Sequence, residues 1–317
     1  MHESSNPIRS EWFLWSVLCA GVALTLFVSN REDLWGPGCY SSPTKICWSH
    51  EADIVVGGSS RVQFGVAPEE FQTAFPGRRV RNFGFDMVIF TPGYLDAVEA
   101  VLDPASEAPI IVLAVEPTVF LRSHADHNIF ANLSRRDPQE VLRLAENRWW
   151  NRLRDRGAWG AMSVDPWLRN LPGLGGLPRN AWSSGQPDFC TADGWAAQDR
   201  AEVDLDAWVP FLHRELEEPL DTEMFDGFLQ RITAWEARGV EVWVTRMPAS
   251  ASARTAEEGA KGAPFAELPS LVNATGATWI ELDASQYHTY DGSHLRRSEA
   301  RRYSRDLASS IRVGGSP

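Results

Sequence analysis

Two short segments at opposite ends of the chain carry side chains suited to nucleophilic catalysis. Gly58-Ser59-Ser60-Arg61 follows an apolar run, and Asp291-Gly292-Ser293-His294 lies near the C-terminus. Asp and His three residues apart fit on one turn, where the carboxylate holds the imidazole and the other ring nitrogen faces a serine hydroxyl. Each segment alone is common, as a turn or as a helix start beside a surface histidine. Their combination predicts a triad of Ser60, His294 and Asp291.

The elements that must position these segments alternate between strands and helices. Short apolar, often β-branched runs predict strands at 52–56, 79–83, 109–115, 239–245 and 278–282. Helical patterns cover 92–102, 140–154, 222–238 and 296–311. This alternation predicts an α/β fold with a doubly wound, mostly parallel sheet and helices on both faces. Ser60 then follows the carboxyl end of a strand, where such sheets bind ligands.

The predicted organisation is an N-terminal anchor (1–30), a linker (31–52) and one α/β domain (53–317) with an insertion at about 121–220. The insertion interrupts the strand–helix alternation, and we expect it to lie over the ligand edge of the sheet. It holds half of the 14 tryptophans of the chain, namely Trp149, Trp150, Trp159, Trp167, Trp182, Trp195 and Trp208. Tryptophan is common both in packed cores and in sugar-binding clefts, so both roles stay open.

The N-terminal segment 12–28 is apolar and uncharged. Its length is at the short end of what spans a bilayer, roughly 17–25 residues. We predict an uncleaved signal anchor, because no Ala-x-Ala site follows it and the preceding residues are only weakly basic; a cleaved signal peptide is the alternative. Beyond it, Cys39 and Cys47 bracket a short loop. In an oxidising compartment they form a local disulfide, and otherwise they are two free thiols.

Composition and spacing exclude several other classes of function. The net charge of −12 argues against nucleic acid as a partner, since phosphate binding needs clustered Lys and Arg. His124, Asp126 and His127 have no further ligand at a metal-binding spacing, so we predict neither a metal nor a cofactor. Arg61 either meets an anionic group of the substrate or forms a salt bridge within the fold. Asp86 is interpreted as a turn residue, with a role in the site as the alternative.

Taken together, these motifs resemble those of the SGNH (GDSL-like) hydrolase superfamily. Gly58-Ser59-Ser60 looks like its first block, in which the last Ser is the nucleophile. Asn82-Phe83-Gly84 looks like the second, whose Gly donates a backbone N–H to the oxyanion beside that of the nucleophile, here Ser60. Asp291 and His294 look like the Asp-x-x-His of the last block. The sequence Gly-Ser-Ser-Arg-Val, followed by Phe64-Gly65-Val66, is similar to a membrane-anchored branch associated with exopolysaccharide O-acylation and cell-wall D-alanylation.

One block departs from the family pattern. The third block normally supplies an Asn side chain to the oxyanion hole, whereas the corresponding strand end reads Val115-Glu116-Pro117-Thr118. Losing one such donor typically lowers the rate by about 10²–10³. An ionised Glu116 would repel an oxyanion. The possible replacements for this missing Asn are Asn128, Asn132 or another residue of the insertion.

The resemblance implies two alternative functions for the chain. The first is a serine esterase or O-acyltransferase acting on an acylated glycan or cell-envelope polymer. The second is a catalytically silent accessory subunit of an integral membrane complex. Both imply a single-pass protein of the inner (cytoplasmic) membrane, with a periplasmic domain and an integral membrane protein as partner. A hydrogen-bonded Ser60–His294 pair in an open cleft favours the enzyme, and separated residues in a blocked cleft favour the accessory subunit.

Overall fold

The strands form where the chain is apolar and β-branched. The computed structural model describes residues 45–125, 128–141, 189–197, 205 and 208–314. In chain order its strands are β1 Ile54–Gly58, β2 Val80–Gly84, β3 Ile110–Ala114, β4 Phe189–Cys190, β5 Ala196–Ala197, β6 Glu241–Thr245 and β7 Thr278–Ile280. Five of them form a parallel sheet in the order β2-β1-β3-β6-β7. The predicted parallel α/β sheet is confirmed.

The sheet is buried on both faces because the side chains of its central strands alternate between two cores. In β3, Ile111 and Leu113 enter one core, whereas Ile110 and Val112 enter the other. Both sets are apolar, so the strand appears as an unbroken apolar run rather than as an alternating one. This explains why short apolar segments were sufficient to predict the strands.

Helices cover both faces of this sheet. They are α1 Ser60–Gly65, α2 Pro68–Ala74, α3 Pro92–Val101, α4 Ile129–Ser134, α5 Val209–Glu215, α6 Thr222–Glu236, α7 Ala251–Glu258, α8 Leu268–Ala274 and α9 Arg297–Gly314. Apolar residues of α3, α6 and α8 pack in one core, and those of α2 and α9 pack in the other. The predicted helices at 92–102, 222–238 and 296–311 correspond to α3, α6 and α9. The one predicted at 140–154 lies almost wholly outside the described residues.

Four helices beside the sheet were not predicted. They are α1, α2, α7 and α8, each only six to eight residues long. A helix this short contains about two turns, too few for an apolar period to stand out from chance. The most important is α1, because its first residue is Ser60. The sequence had predicted only a tight turn at this place.

The described parts of the predicted insertion pack against the domain. The strands β4 and β5 form an antiparallel pair. Trp195, just before β5, is fully buried and donates from Nε1 to the carbonyl oxygen of Phe64 at 2.8 Å. The backbone N–H of Asn82 donates to the carbonyl oxygen of Asp193 at 2.8 Å, so this hairpin also contacts the edge strand β2. Trp195 therefore belongs to the core.

The N-terminal predictions fall largely beyond the structure. Residues 12–28 and Cys39 lie outside the described residues. Within the described part of the chain, no helix combines the length and apolar character needed to cross a bilayer. Cys47 lies in a short helical turn, where its thiol is free and half-buried, and burial raises its pKa. The structure therefore does not show the predicted Cys39–Cys47 disulfide.

Candidate active site

Ser60 is held at the junction of β1 and α1. Ser59 caps α1, since its Oγ accepts from the backbone N–H of Arg61 at 3.2 Å. Ser is a preferred residue at this position because its hydroxyl satisfies an amide that the helix leaves unpaired. Ser60 is the first residue of the helix and is half-buried at the carboxyl edge of the sheet. The local sequence Gly-Gly-Ser-Ser thus ends the strand, caps the helix and presents one hydroxyl.

His294 and Asp291 lie opposite Ser60 on the loop that precedes α9. His294 Nδ1 is 2.8 Å from Asp291 Oδ2, and His294 Nε2 is 2.9 Å from Ser60 Oγ. Because a carboxylate can only accept, Nδ1 carries the proton and Nε2 accepts from the Ser60 hydroxyl. The structure therefore brings together the three residues of the predicted triad, although Ser60 lies 231 positions before Asp291 in the sequence.

Asp291 is held in its ionised form. Burial raises the pKa of this carboxyl, but the His294 ring and two backbone N–H groups outweigh that effect and leave the pKa below its usual range. The two backbone donors are those of Ser293 and His294, at 2.9 and 2.8 Å from Asp291 Oδ1. Asp291 can thus orient the imidazole and stabilise it once it is protonated.

The triad opens into a cavity of about 300 Å³. Three aromatic rings surround the His294 ring, with centroids at 5.4 Å for Phe64, 5.9 Å for Tyr290 and 6.4 Å for Trp208. Trp208 also contacts Phe211, at 4.5 Å between centroids. The cavity therefore has an aromatic wall, and one part of that wall comes from the predicted insertion.

Gly84 does not reach this cavity as a free donor. Its backbone N–H donates to Asn82 Oδ1 at 3.0 Å, and Gly84 is not among the described residues that line the cavity. Asn82 is fully buried, and its Nδ2 donates to the carbonyl oxygens of Val62 and Val66, each at 2.7 Å. The structure thus does not bring the predicted second oxyanion donor to Ser60, because Asn82 Oδ1 accepts that N–H while Asn82 Nδ2 joins β2 to the α1 segment.

A buried tyrosine that the sequence analysis did not single out joins the ends of two strands. Tyr94 Oη accepts from the backbone N–H of Gly58 and donates to the carbonyl oxygen of Phe83, both at 2.8 Å. Burial raises the pKa of Tyr94, so it stays a neutral phenol. Its position inside the apolar stripe of α3 was the only signal in the sequence, and that signal indicates packing.

Arg61 is part of a buried ionic network. It donates from Nη2 to Glu257 and from Nε to Ser293 Oγ at 3.0 Å. Glu257 also accepts from Arg246, with Nη2–Oε2 at 2.7 Å. Burial raises the pKa of Glu257, but the two guanidinium groups outweigh it and keep the carboxylate ionised. The salt-bridge interpretation of Arg61 is therefore the one the structure shows, and Arg61 links α1 to the loop that carries the triad acid and base.

Two further carboxyl groups line the cavity. Glu116 is 3% exposed and accepts a hydrogen bond from the Ser59 hydroxyl. Asp86 lies at the start of a loop whose next residue, Met87, has a left-handed φ of 53°. Burial raises the pKa of both groups, against the opposing charge of Arg61 for Glu116 and of His294 for Asp86. Asp86 is thus a site residue as well as part of a turn.

The other sequence candidates do not converge on this site. Asn128 caps α4 through Oδ1, which accepts from the Ala131 N–H at 3.1 Å, and neither it nor Asn132 lines the cavity. His124 lines the cavity and pairs with Glu215 at 2.9 Å, while its predicted neighbours Asp126 and His127 lie outside the described residues. No cluster of potential metal ligands occurs among the residues that the structure describes.

Comparisons with known proteins give only distant similarities. No family model matches the chain, and no curated protein does. Among solved structures it is similar to a protein provisionally described as a platelet activating factor from Streptococcus pneumonia, at 11% identity and a TM-score of 0.38, covering 91% of this chain and 99% of that one.

Two esterases are also similar to the chain. They are a carbohydrate acetylesterase from Sinorhizobium meliloti (10% identity, TM-score 0.36) and the aryl esterase of M. Smegmatis (11% identity, TM-score 0.34). Each comparison covers 82% of this chain and 98% of the other. The TM-scores are too low for these comparisons to support a function, which rests instead on the geometry of the site.

The close contact between Gly84 and α1 can be tested by adding one methyl group. A Cβ at Gly84 would lie 2.4 Å from the backbone N of Gln63, so Gly84→Ala must displace α1. We expect a loss of about 1–3 kcal/mol in the free energy of unfolding, the usual effect of overpacking. Gly93→Ala is the matched control, since nothing lies within 4 Å of its Cβ. Equal urea midpoints for Gly84→Ala and Gly93→Ala would contradict the close packing.

Proposed function

We propose that this chain is a serine esterase or O-acyltransferase of the SGNH type. The observation that carries the proposal is the continuous hydrogen-bonded relay from Ser60 Oγ to His294 Nε2 and from His294 Nδ1 to Asp291, with the hydroxyl facing a cavity. A serine becomes a useful nucleophile when an adjacent base accepts its proton and a third group orients that base. A separated pair in a blocked cleft would have favoured the accessory subunit, and the described residues instead place Ser60 and His294 within hydrogen-bond distance beside a cavity.

The chemistry proceeds through an acyl-enzyme. Ser60 Oγ attacks the ester carbonyl as His294 Nε2 takes its proton, and the carbonyl electron pair moves onto oxygen. Collapse of this oxyanion breaks the bond to the leaving alcohol, which receives the proton from His294. Water or a sugar hydroxyl then attacks the acyl-Ser60 by the same steps in reverse. The backbone N–H of Ser60 is one oxyanion donor, because the first amides of a helix have no partner within the helix.

The substrate that we propose is the ester of a glycan or cell-envelope polymer. The support is the aromatic wall beside His294, where Trp208 and Tyr290 line the cavity next to the reacting atoms. Flat apolar rings bind the apolar faces of sugars, and the ring edges and tips remain available to polar groups. The charges around the cavity agree with a neutral substrate, because the one cavity-lining guanidinium, among the described residues, is that of Arg61 and it is paired with Glu257.

We further propose that the protein is anchored in the inner membrane by residues 12–28, with its domain in the periplasm and a partner among the integral membrane proteins. The support is the uncharged apolar sequence of that segment and the resemblance to the membrane-anchored branch. An anchored enzyme would act close to the membrane, where cell-envelope polymers are built.

The first prediction concerns the nucleophile. A fluorophosphonate probe should label Ser60 stoichiometrically in residues 36–317, because the probe requires only an activated serine. Ser60→Ala and His294→Ala should abolish labelling, and Asp291→Asn should slow it by up to about 10⁴ because the imidazole loses its orienting partner. Peptide mass analysis locates the label. His288→Ala, which removes an exposed histidine, is the control and should label normally. Folded wild type that takes no label would refute the proposed function and favour the accessory subunit.

The second prediction concerns the sugar. Trp208→Leu should raise KM for an O-acetylated xylo-oligosaccharide by about two- to twelvefold, the effect of losing roughly 0.5–1.5 kcal/mol of ring contact. KM for 4-nitrophenyl acetate, which has no sugar, should change much less. Trp279→Leu, which removes a ring on β7 outside the cavity, is the matched control. An equal change in KM for both substrates would show that Trp208 only supports His294.

The third prediction concerns the anchor. The full chain should sediment with membranes and resist extraction at alkaline pH, whereas residues 36–317 should stay in the soluble fraction. The physical reason is that an apolar stretch of this length is more stable in hydrocarbon than in water. Recovery of the intact full chain in the soluble fraction would contradict the anchor.

A further inference from the structure

Glu116 is the cavity residue whose role the triad leaves unexplained. It lies two residues beyond the end of β3, the strand that pairs with β1, and so it reaches the turn that carries Ser59 and Ser60. Its Oε1 accepts the hydrogen bond from the Ser59 hydroxyl. Its Oε2 is buried and has no hydrogen-bond partner within the described part of the chain. A buried carboxyl oxygen left unpaired is unfavourable, and more so if it is charged.

The groups around Glu116 decide which form of the carboxyl is stable. Arg61 on α1 and His294 on the triad loop favour the ionised form, whereas Glu257 on α7 and above all burial favour the neutral form. Tyr94 on α3 also interacts with it but is a neutral phenol. The charge of Arg61 is already matched by Glu257, which lies in direct contact with it. The net result is a pKa for Glu116 above its usual range.

We propose that Glu116 is protonated on Oε2 and donates a hydrogen bond to the carbonyl oxygen of the substrate as that oxygen becomes negative. This inference rests on the proposed function. It assigns the second oxyanion donor to a carboxylic acid on the strand end next to Ser60, in place of the Gly84 N–H that Asn82 occupies. A neutral carboxylic acid both accepts and donates, so Oε1 can keep Ser59 while Oε2 serves the substrate.

The step needs no additional reactant. The Ser60 proton goes to His294 and later to the leaving alcohol, the new Oγ–C bond forms as the carbonyl pair moves onto oxygen, and Glu116 keeps its proton throughout. The hydrogen bond strengthens as negative charge develops, so it stabilises the transition state more than the bound ester. A neutral acid kept in an apolar site is suited to this role, whereas a carboxylate in the same place would oppose the reaction.

The sign of the pH dependence follows from this assignment. Below the raised pKa of Glu116 the donor is present, and above it the carboxylate repels the oxyanion. The rate at which fluorophosphonate labels Ser60 in the wild type should therefore fall as the pH rises through the raised pKa of Glu116. Glu116→Gln supplies an N–H donor that cannot be deprotonated, so its rate should not show this fall. Glu116→Ala should lower the rate by about 10²–10³ below the pKa of Glu116, the usual effect of losing one oxyanion donor, and the difference from the wild type should shrink above that pKa.

The experiment is the pH profile of labelling for the full chain in detergent as wild type, Glu116→Gln and Glu116→Ala, with Glu236→Gln as control. Glu236 is another carboxyl whose pKa is raised by burial, but it lies outside the cavity, so its variant should keep the fall in rate with rising pH. A fall in Glu116→Gln equal to that of the wild type would overturn the inference, even if Glu116→Ala fails to fold. Wild type that never labels would refute the proposed function itself, which is a separate outcome.

Discussion

The close contact between α1 and the carboxyl ends of β1 and β2 is the constraint on which the site depends. Gly84 lies beneath the backbone of Gln63 with no room for a methyl group. The side-chain amide of Asn82 donates to the carbonyl oxygens of Val62, within α1, and of Val66, just after its C-terminal end. A six-residue helix is unstable alone, so these contacts hold it in place. Because Ser60 begins that helix, its hydroxyl is positioned by groups several residues away.

Two buried carboxyl groups beside this helix differ in their partners and therefore in the form that is favoured. On one side Glu257 is shared by Arg61 and Arg246, so its carboxylate remains ionised even though it is buried. Such networks are weak contributors to stability but they fix geometry, and here the Arg61 Nε–Ser293 bond ties α1 to the triad loop. On the other side Glu116 has, among the described residues, only the Ser59 hydroxyl as its hydrogen-bond partner. Burial therefore favours the neutral form of a carboxyl group that lines the same cavity as Ser60.

The sheet and the segment that contains Trp208 make different contributions to the cavity. The segments that follow the strands at the carboxyl edge of the sheet supply Ser60, Glu116 and Asp291. The parallel strands set the positions of these segments. Trp208 comes from the residues just before α5, outside the strand–helix repeat, and places its ring beside His294. The parallel sheet thus sets the positions of the residues at its edge, and a residue from outside the strand–helix repeat adds an aromatic ring beside them.

Much of this architecture is local and was predictable from the sequence. The five strands, α3, α6 and α9 follow from apolar runs and helical periodicity, because burial on a sheet or on one helix face imposes those patterns on neighbouring residues. The pairing of Asp291 with His294 is equally local, since three residues span one turn. Ser60 as their partner was predictable because strand ends in a parallel sheet meet at one edge.

Only the tertiary structure decided the partners that arrive from distant positions. Arg61 had two equal interpretations until Glu257, 196 residues away, was found against it. The Gly84 N–H was expected to face the oxyanion, and Asn82 occupies it instead. Glu116 was expected to be an ionised, repelling group, whereas its burial raises its pKa. The reason is the same in each case. The sequence states which donors, acceptors and charges a residue carries, but the folded environment decides which partner each group meets and how deeply it is buried.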